Sequence, residues 1–262
     1  MPTRTSFSTA PVLPGVLLLL GSLLFTAGGR HHPRIDGSIG ALGSDEFYRA
    51  FVGEILHVPN WESMHVLILV GPVLWALGVA GLGRRADGAR RGVPQIAGTA
   101  LALAAVAWMV VFVLDGFAAP VFARGLAAAP TESAASILVS FKANQAIVIR
   151  LGLFSWILVG IAAALLSIDM ILRSRMGPAP LLLGTIGVLV GAWPMIAWAR
   201  GEFVPGPFTS PLWKTTALAT ALWYAGLGVM ALLSHGEVQE AIGHAAPSRS
   251  EATAPAQPLT LP

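Results

Sequence analysis

The stretch EILHVPNWESMH, residues 54–65, holds the side chains of this chain that are best suited to chemistry. It contains the pattern Glu-x-x-His twice, as Glu54 with His57 and as Glu62 with His65. Residues three positions apart share a face of a helix, so each pair would set a carboxylate beside an imidazole. Helical bundles use this spacing to hold metal ions, and these ligands suit zinc or copper. The pattern therefore predicts a divalent-metal site formed by these four residues.

The nearby segment RHHPRID, residues 30–36, could add His31, His32 and Asp36 to such a site. Metal-binding bundles, however, bring each Glu-x-x-His pair from a different helix, whereas both pairs here are adjacent in the chain and separated by Pro59. A histidine and a tryptophan at the start of a membrane span also fit the belt of amphipathic rings at the membrane interface. The stretch thus supports two interpretations, a metal site and an interfacial collar.

The composition identifies the environment of the chain. Hydrophobic residues make up 55% of it and charged residues 11%, and its mean hydropathy is +0.73. Soluble domains carry about 25% charged residues, so this chain requires a lipid bilayer. The absence of cysteine excludes disulfides and thiolate metal sites. Its arginines lie in short loops between apolar runs rather than on one basic face, which argues against a nucleic-acid partner.

Six segments have the roughly 20 apolar residues that a membrane span requires. All must be helices, because backbone amides in lipid have no water to bond. We therefore predict an all-α, polytopic integral membrane protein, with a six-transmembrane-helix bundle over residues 1–235 and short extracytoplasmic cap helices. The spans are residues 11–29, 64–83, 93–114, 146–168, 180–199 and 212–233.

The sequence predicts whether the first span is retained and whether the C-terminal segment is ordered. The first span resembles a signal peptide, but the TAGGRHH that follows is a poor cleavage site, so we expect a retained helix. Residues 236–262 are rich in proline, alanine and serine. We predict that this segment is a disordered cytoplasmic tail.

The orientation follows from the basic loops. The loop RRADGARRG, residues 84–92, carries four arginines, and the loop after the fourth span carries Arg173 and Arg175. Short basic loops face the cytoplasm, so both termini are predicted to be cytoplasmic, and residues 30–63, 115–145 and 200–211 to lie outside. The abundance of arginine, alanine and glycine is typical of a bacterial protein. These patterns predict a multi-pass protein of a bacterial inner membrane.

Two outer segments are predicted to be helical. Residues 44–57 begin with Ser44, a favourable N-cap. The apolar face of this segment would lie on the membrane or cap the bundle; it consists of Phe47, Phe51 and Ile55. Residues 131–145 also have a helical pattern and are expected to run directly into the fourth span.

Ionisable residues in or beside a span are costly and indicate functional sites. His65 begins the second span, Asp115 ends the third, and Arg150 lies one turn into the fourth. Consecutive helices tend to be neighbours, so we expect these residues to converge in one outer pocket. In an enzyme, His65 and Asp115 would act as base or ligand, and Arg150 as an anion clamp. In a structural role, Arg150 would pair with Asp115 or extend to the headgroups.

Three classes of function are consistent with these patterns. The first is a non-catalytic protein that binds a lipid, a small solute or a partner subunit at its outer face. The second is a metal-dependent or acid/base enzyme that acts on a lipid or quinone headgroup. The third is a secondary transporter, suggested by six identities at an offset of 148, such as Trp75 with Trp223. The lack of polar residues at mid-membrane depth argues against transport, and we rank the first class highest.

Overall fold

The computed structural model describes residues 12–32, 43–85, 92–172, 177–199 and 211–245. Every regular element within these residues is a helix, and six helices are long and apolar enough to cross a membrane. The prediction of an all-α, six-span membrane bundle is thereby confirmed. The elements in chain order are α1 (Leu13–His31), α2 (Asp45–His57), α3 (Trp61–Arg85), α4 (Gly92–Phe112), a π-helical turn (Val113–Ala118), α5 (Ala119–Ala128), α6 (Thr131–Leu172), α7 (Pro178–Ala199) and α8 (Pro211–Ala245).

Parts of this helical structure extend beyond the membrane at one end of the bundle. Helix α6 has 42 residues, which at about 1.5 Å per residue gives about 63 Å, twice the roughly 30 Å thickness of the hydrocarbon core. Its first turns therefore project from the bilayer, beside α5 and α2. We call α2, α5 and residues 131–145 of α6 the cap. Because α6 is continuous from Thr131, the prediction that residues 131–145 run into the fourth span is confirmed.

The six spanning helices form a closed ring in chain order. Each packs against the next one along the chain, and α8 returns to pack against α1. Aromatic side chains fill the interior. Trp75 stacks on Tyr224 with ring centroids 4.6 Å apart, and Phe25 contacts Trp75 at 5.0 Å and Trp108 at 6.2 Å. Such ring pairs add stability beyond the area that they bury.

Glycines allow the helix backbones in this ring to approach closely. A Cβ atom added at Gly21 of α1 would lie 2.7 Å from the carbonyl oxygen of Gly71 on α3. The contact is mutual, since a Cβ atom at Gly71 would lie 2.8 Å from the carbonyl oxygen of Gly21. Gly160 of α6 and Gly191 of α7 form a second mutual contact of this kind. Small residues at crossings are the usual means by which helices associate in lipid.

Helix α2 is fixed to the bundle by its apolar face and by one ion pair. The Ser44 hydroxyl accepts a hydrogen bond from the Phe47 amide at 3.1 Å, which confirms the predicted N-cap. The predicted apolar face is buried against the bundle, so α2 caps the bundle rather than lying on the membrane. At its first turn, Asp45 Oδ1 accepts a hydrogen bond from Lys142 Nζ of α6 at 2.7 Å.

The first and last helices of the described residues bear on the predictions made for the two ends of the chain. Helix α1 packs into the ring, with Leu18 and Phe25 in the core. Helix α8 continues to Ala245, so residues 236–245 are helical where the sequence predicted the start of a disordered tail. Residues 246–262 lie outside the described residues, as do most of the arginine-rich loop and the segment 200–210.

We predict that Gly21→Ala destabilises the bundle, because the added Cβ atom would collide with the backbone of α3. Overpacking of this kind costs about 1–3 kcal/mol. Gly29→Ala is the matched control on the same helix, since nothing lies within 4 Å of a Cβ atom there. Unfolding in mild detergent, followed by circular dichroism, should show a loss for the first variant alone. Equal stability of the two variants would contradict the close crossing of α1 and α3.

A second prediction concerns the pH dependence of cap docking. The hydrogen bond from Lys142 and its positive charge hold the pKa of Asp45 below the ordinary value of 3.8. A carboxyl whose pKa is lowered on folding adds stability above its unfolded pKa and loses it as the pH falls through the folded pKa. Asp45→Asn should therefore slightly lower the melting temperature at neutral pH. The difference should decline as the pH falls below 3.8 and vanish once the pH is below the lowered pKa of Asp45 in the folded protein.

The matched control for this experiment is Glu46→Gln, which changes the next residue on α2. Glu46 is exposed and takes part in no ion pair within the part of the chain that the structure describes. The melting temperature of the Glu46→Gln variant should equal that of the unaltered protein at neutral pH. A difference for Asp45→Asn that persists unchanged in acid would show that the Lys142 pair is not its cause.

Candidate functional site

The site is centred on His65, in the second turn of α3, whose side chain is fully buried. Its Nδ1 atom lies 2.7 Å from the carbonyl oxygen of Trp61, one turn earlier on the same helix. A carbonyl oxygen only accepts hydrogen bonds, so Nδ1 carries a proton and donates it. The ring is thereby held in one orientation, with Nε2 directed away from its own helix.

Asp115 meets this Nε2 atom from the π-helical turn between α4 and α5. Its Oδ2 atom lies 3.1 Å from His65 Nε2, and its Oδ1 atom accepts a hydrogen bond from Gln145 Nε2 of α6 at 3.1 Å. Asp115 is only 3% exposed and Gln145 only 1%. Three consecutive spanning segments therefore place one polar side chain each at a single buried point.

Side chains on both sides hold the π-helical turn in place. The Trp61 indole donates to the carbonyl oxygen of Asp115 at 2.7 Å, and Asn144 donates to that of Leu114 at 3.2 Å. Gly116 lies against His65, since a Cβ atom added there would be 2.9 Å from the Cβ atom of His65. Turns of this type interrupt α-helices frequently at functional sites. This one directs the carboxylate of Asp115 toward α3.

His32, the residue that follows α1, completes the cluster from a fourth segment. Its half-buried ring lies 5.3 Å from that of His65, centroid to centroid, and 5.7 Å from that of Trp61. One potential ligand atom from each of His32, His65 and Asp115 lies within 4.8 Å of the other two. Two imidazoles and one carboxylate, drawn from separate parts of the chain, thus converge at the junction of bundle and cap.

Gln145 leaves one hydrogen-bonding atom of the site without a partner. Its Nε2 atom must face Asp115, because the carboxylate requires a donor. Its Oε1 atom is buried and has no hydrogen-bond partner among the described residues. Buried acceptors without a partner are rare, and each calls for an explanation such as a water molecule or ion at the site.

Arg150 does not join the cluster, although the sequence predicted that it would meet His65 and Asp115. Its side chain is exposed, and within the described residues it forms no hydrogen bond or ion pair. It follows Gln145 by five residues, which corresponds to about 140° around the helix. The position facing Asp115 is therefore occupied by Gln145, and the pair predicted between Asp115 and Arg150 is not formed.

The four residues of the two Glu-x-x-His pairs also do not come together. His57 is exposed, and its Nδ1 atom bonds to the carbonyl oxygen of Gly53 at 2.6 Å. Glu62 is exposed, and Glu54 is half-buried on α2. Of this set, the structure brings only His65 into the cluster. Its neighbours there are His32, Asp115 and Gln145, of which His32 was a secondary candidate from the sequence and Gln145 was not predicted.

The cluster was partly visible in the sequence. Trp61 precedes His65 by four residues, which places both on one helix face, and Gln145 is a polar residue at the start of a span. The close contact of Gly116 with His65 could not be predicted, because no pattern in the sequence around Gly116 indicates that α3 packs against it. Asp36 lies outside the described residues.

The chain matches no protein-family model, and no curated protein and no solved structure shows significant similarity to it.

We predict that His65 and Asp115 are energetically coupled. His65→Ala and Asp115→Ala should each destabilise the protein, because either change leaves a buried partner unpaired, at a cost of about 1–3 kcal/mol. Removing both should cost less than the sum, by about 0.5–3 kcal/mol. Denaturation in mild detergent of the two single variants and the double variant measures this coupling.

The matched control pairs Asp115→Ala with Arg150→Ala. Because the exposed Arg150 does not contact Asp115, these two changes should add within about 0.5 kcal/mol. Additive losses for His65 with Asp115, or coupled losses for Asp115 with Arg150, would contradict the arrangement described here.

Proposed function

We propose that this protein is a metal-dependent integral membrane protein with a divalent ion bound by His32, His65 and Asp115. The observation that carries the proposal is the convergence of three ligand atoms within 4.8 Å. Two imidazoles and a carboxylate with no thiolate suit zinc and other first-row divalent metals. The proposal replaces the set of Glu54, His57, Glu62 and His65 suggested by the sequence.

The distances support this set. Ligands about 2.1 Å from a tetrahedral zinc ion lie about 3.4 Å apart, and His65 Nε2 and Asp115 Oδ2 are 3.1 Å apart. Two ligands of one such ion are at most about 4.2 Å apart, so a separation of 4.8 Å would require a small rotation of His32. His32 follows the last turn of α1, where its side chain is only half-buried.

The surroundings also suit a metal ligand. Metal-binding histidines usually donate their second ring N–H to a carbonyl or carboxylate oxygen, and His65 donates to Trp61 in this way. Gln145 would hold Asp115 in position through its amide N–H. Its unpaired Oε1 atom would then be free to accept a hydrogen bond from a water molecule on the ion.

Three protein ligands with a further position open are typical of catalytic zinc sites. Held by His32, His65 and Asp115, an ion of this kind would supply an activated water molecule for hydrolysis and a positive charge that polarises a carbonyl or phosphoryl oxygen. Since the cluster lies where the spans meet the cap, the substrate that we propose is a lipid headgroup. His65 and Asp115 would then act as ligands, and Arg150, which is exposed on another face of α6, would have no part in the reaction.

We further propose that the site faces the outside of a bacterial inner membrane. Arg84, at the other end of α3, follows His65 by 19 residues, or about 29 Å of helix, and it begins the basic loop of residues 84–92. Basic loops face the cytoplasm. The cap and the cluster would then be extracytoplasmic, and both termini cytoplasmic.

A second candidate is a non-catalytic protein in which the same residues fasten the cap to the bundle. Its support is the direct contact of 3.1 Å between His65 and Asp115, which satisfies both groups without an ion. The pair would share one proton, either as imidazolium with carboxylate or as imidazole with carboxylic acid. A lipid, small solute or partner subunit would then bind elsewhere on the cap.

We do not carry the transporter interpretation forward. A proton or ion route across the membrane needs ionisable groups at several depths. Among the described residues, the buried ion pair is that of His65 with Asp115, at the cap end, and polar side chains buried elsewhere in the spans, such as Ser22 and Thr220, carry no charge.

We predict that the protein purified in mild detergent binds one zinc ion per chain, detected by native mass spectrometry. His32→Ala and Asp115→Ala should remove the bound ion, because each loses a ligand. Gln145→Leu should weaken zinc binding by about 10- to 100-fold, the usual effect of removing a group that orients a ligand.

The matched control is His57→Ala. His57 is exposed and belongs to the set suggested by the sequence, so its removal should leave zinc binding unchanged. If the unaltered protein takes up no zinc, manganese or iron(II), or if only His57→Ala loses the ion, the proposed site is wrong. The fastening role would then be the remaining explanation for the cluster.

A further inference from the structure

A cavity of about 430 Å³ lies beside the candidate metal site, between the turn that joins α2 to α3, the first turn of α3, and α5. Its walls include Trp61, whose ring also lies 4.8 Å from that of His65, centroid to centroid. A single side chain thus borders both the cavity and the cluster. A molecule in this cavity would therefore be separated from His65, a ligand of the proposed metal ion, by the side chain of Trp61.

The cavity is lined by one anionic and one cationic side chain, Glu62 and Arg124. Both are exposed, and neither forms an ion pair within the described residues. A planar guanidinium group matches the oxygens of a phosphate, and a carboxylate accepts hydrogen bonds from an ammonium group. These two side chains together suit a ligand that carries a phosphate and an amine.

The surface below the cavity is apolar and exposed. Val66 follows Glu62 by one turn toward the membrane centre, and Val121 precedes Arg124 by one turn on the same side. Their side chains are 43% and 60% exposed. Helix α3 packs against the π-helical turn that leads into α5, and Glu62 and Arg124 line one cavity. The exposed side chains of Val66 and Val121 therefore each lie one turn below a wall of this cavity, and we call the surface between them the groove. A charged cavity above an apolar groove fits an amphipathic ligand.

We propose that this cavity binds the headgroup of a phospholipid that carries an amine, such as phosphatidylethanolamine. The phosphate contacts Arg124, the ammonium group contacts Glu62, and the acyl chains lie along the groove past Val66 and Val121. This inference deepens the proposed function by naming its substrate class, and it rests on that function only for turnover. Binding of the lipid itself requires no metal.

The test is a competition between two lipids for the delipidated protein, treated with a chelator so that the result does not depend on the metal. An equimolar mixture of dioleoyl phosphatidylethanolamine and dioleoyl phosphatidylglycerol is added, and bound lipid is counted by native mass spectrometry. The ethanolamine lipid should predominate. Arg124→Gln should reduce its binding by about tenfold, as expected for the loss of one charge-assisted hydrogen bond.

The Glu62→Gln variant tests the contact with the ammonium group independently of the contact with the phosphate. It should abolish the preference for the ethanolamine lipid, because only the ammonium group contacts Glu62. Glu46→Gln and Arg49→Gln are the matched controls; both residues are exposed on α2 and do not line the cavity, so these variants should behave like the unaltered protein. Circular dichroism of every variant verifies that the helices are retained.

Three results would overturn the inference. The first is equal binding of the two lipids by the unaltered protein. The second is lipid binding that Arg124→Gln leaves unchanged. The third is displacement of the lipid by an equal concentration of soluble phosphoethanolamine, which would identify a free zwitterion as the ligand. Failure of zinc binding with retained lipid selectivity would refute the metal centre alone, and the converse result would refute the lipid site alone.

Discussion

His65 and Asp115 are buried side by side, and the surrounding helices are arranged to meet the hydrogen-bonding needs of this pair. Burying polar groups without partners is costly. Here a backbone carbonyl serves His65 and the Gln145 amide serves Asp115. Because these partners come from α3, the π-helical turn and α6, the pair can be satisfied only when these three segments are in register. One buried contact thus defines how the cap sits on the bundle.

The π-helical turn shows how a local irregularity serves this contact. Its extra residue changes the direction of side chains relative to a regular α-helix. The carbonyl oxygens of Leu114 and Asp115 accept hydrogen bonds from Asn144 and Trp61. The same turn therefore presents its carboxylate to His65 and Gln145 and its backbone carbonyls to Trp61 and Asn144. Gly116 completes the fit, since any side chain there would displace His65.

The six spans were predictable from the sequence because lipid imposes a strict length and composition on any helix that crosses it. The helix α2 was predictable for a local reason, the N-cap Ser44 followed by an apolar face. The site was only partly predictable. Residue type and depth indicated His65 and Asp115, but the choice between Gln145 and Arg150 as the third neighbour depends on the rotation of α6. That rotation is determined by packing against α4, which leaves no local pattern in the chain.

The Glu-x-x-His pairs show why spacing along the sequence predicted the wrong partners for His65. Spacing on one helix face brings Glu62 toward His65, yet the π-helical turn approaches His65 from a different direction, so Asp115 becomes its partner. His57 and Glu54 belong to a separate helix, which ends before the turn at Pro59. A pattern along the chain describes neighbours on one helix, whereas this cluster is formed between helices.

The closed ring of spanning helices has a consequence for the order of assembly. Consecutive spans are neighbours in space in five of the six contacts of the ring, so the spans from α1 to α8 can add one after another as each enters the membrane. The sixth contact joins α8 to α1 and spans almost the whole chain. Tyr224, which stacks on Trp75 in the interior, arrives with this last helix. Until then the ring is an open arc whose aromatic interior faces lipid, and α8, the last of these six spans to be synthesised, closes it.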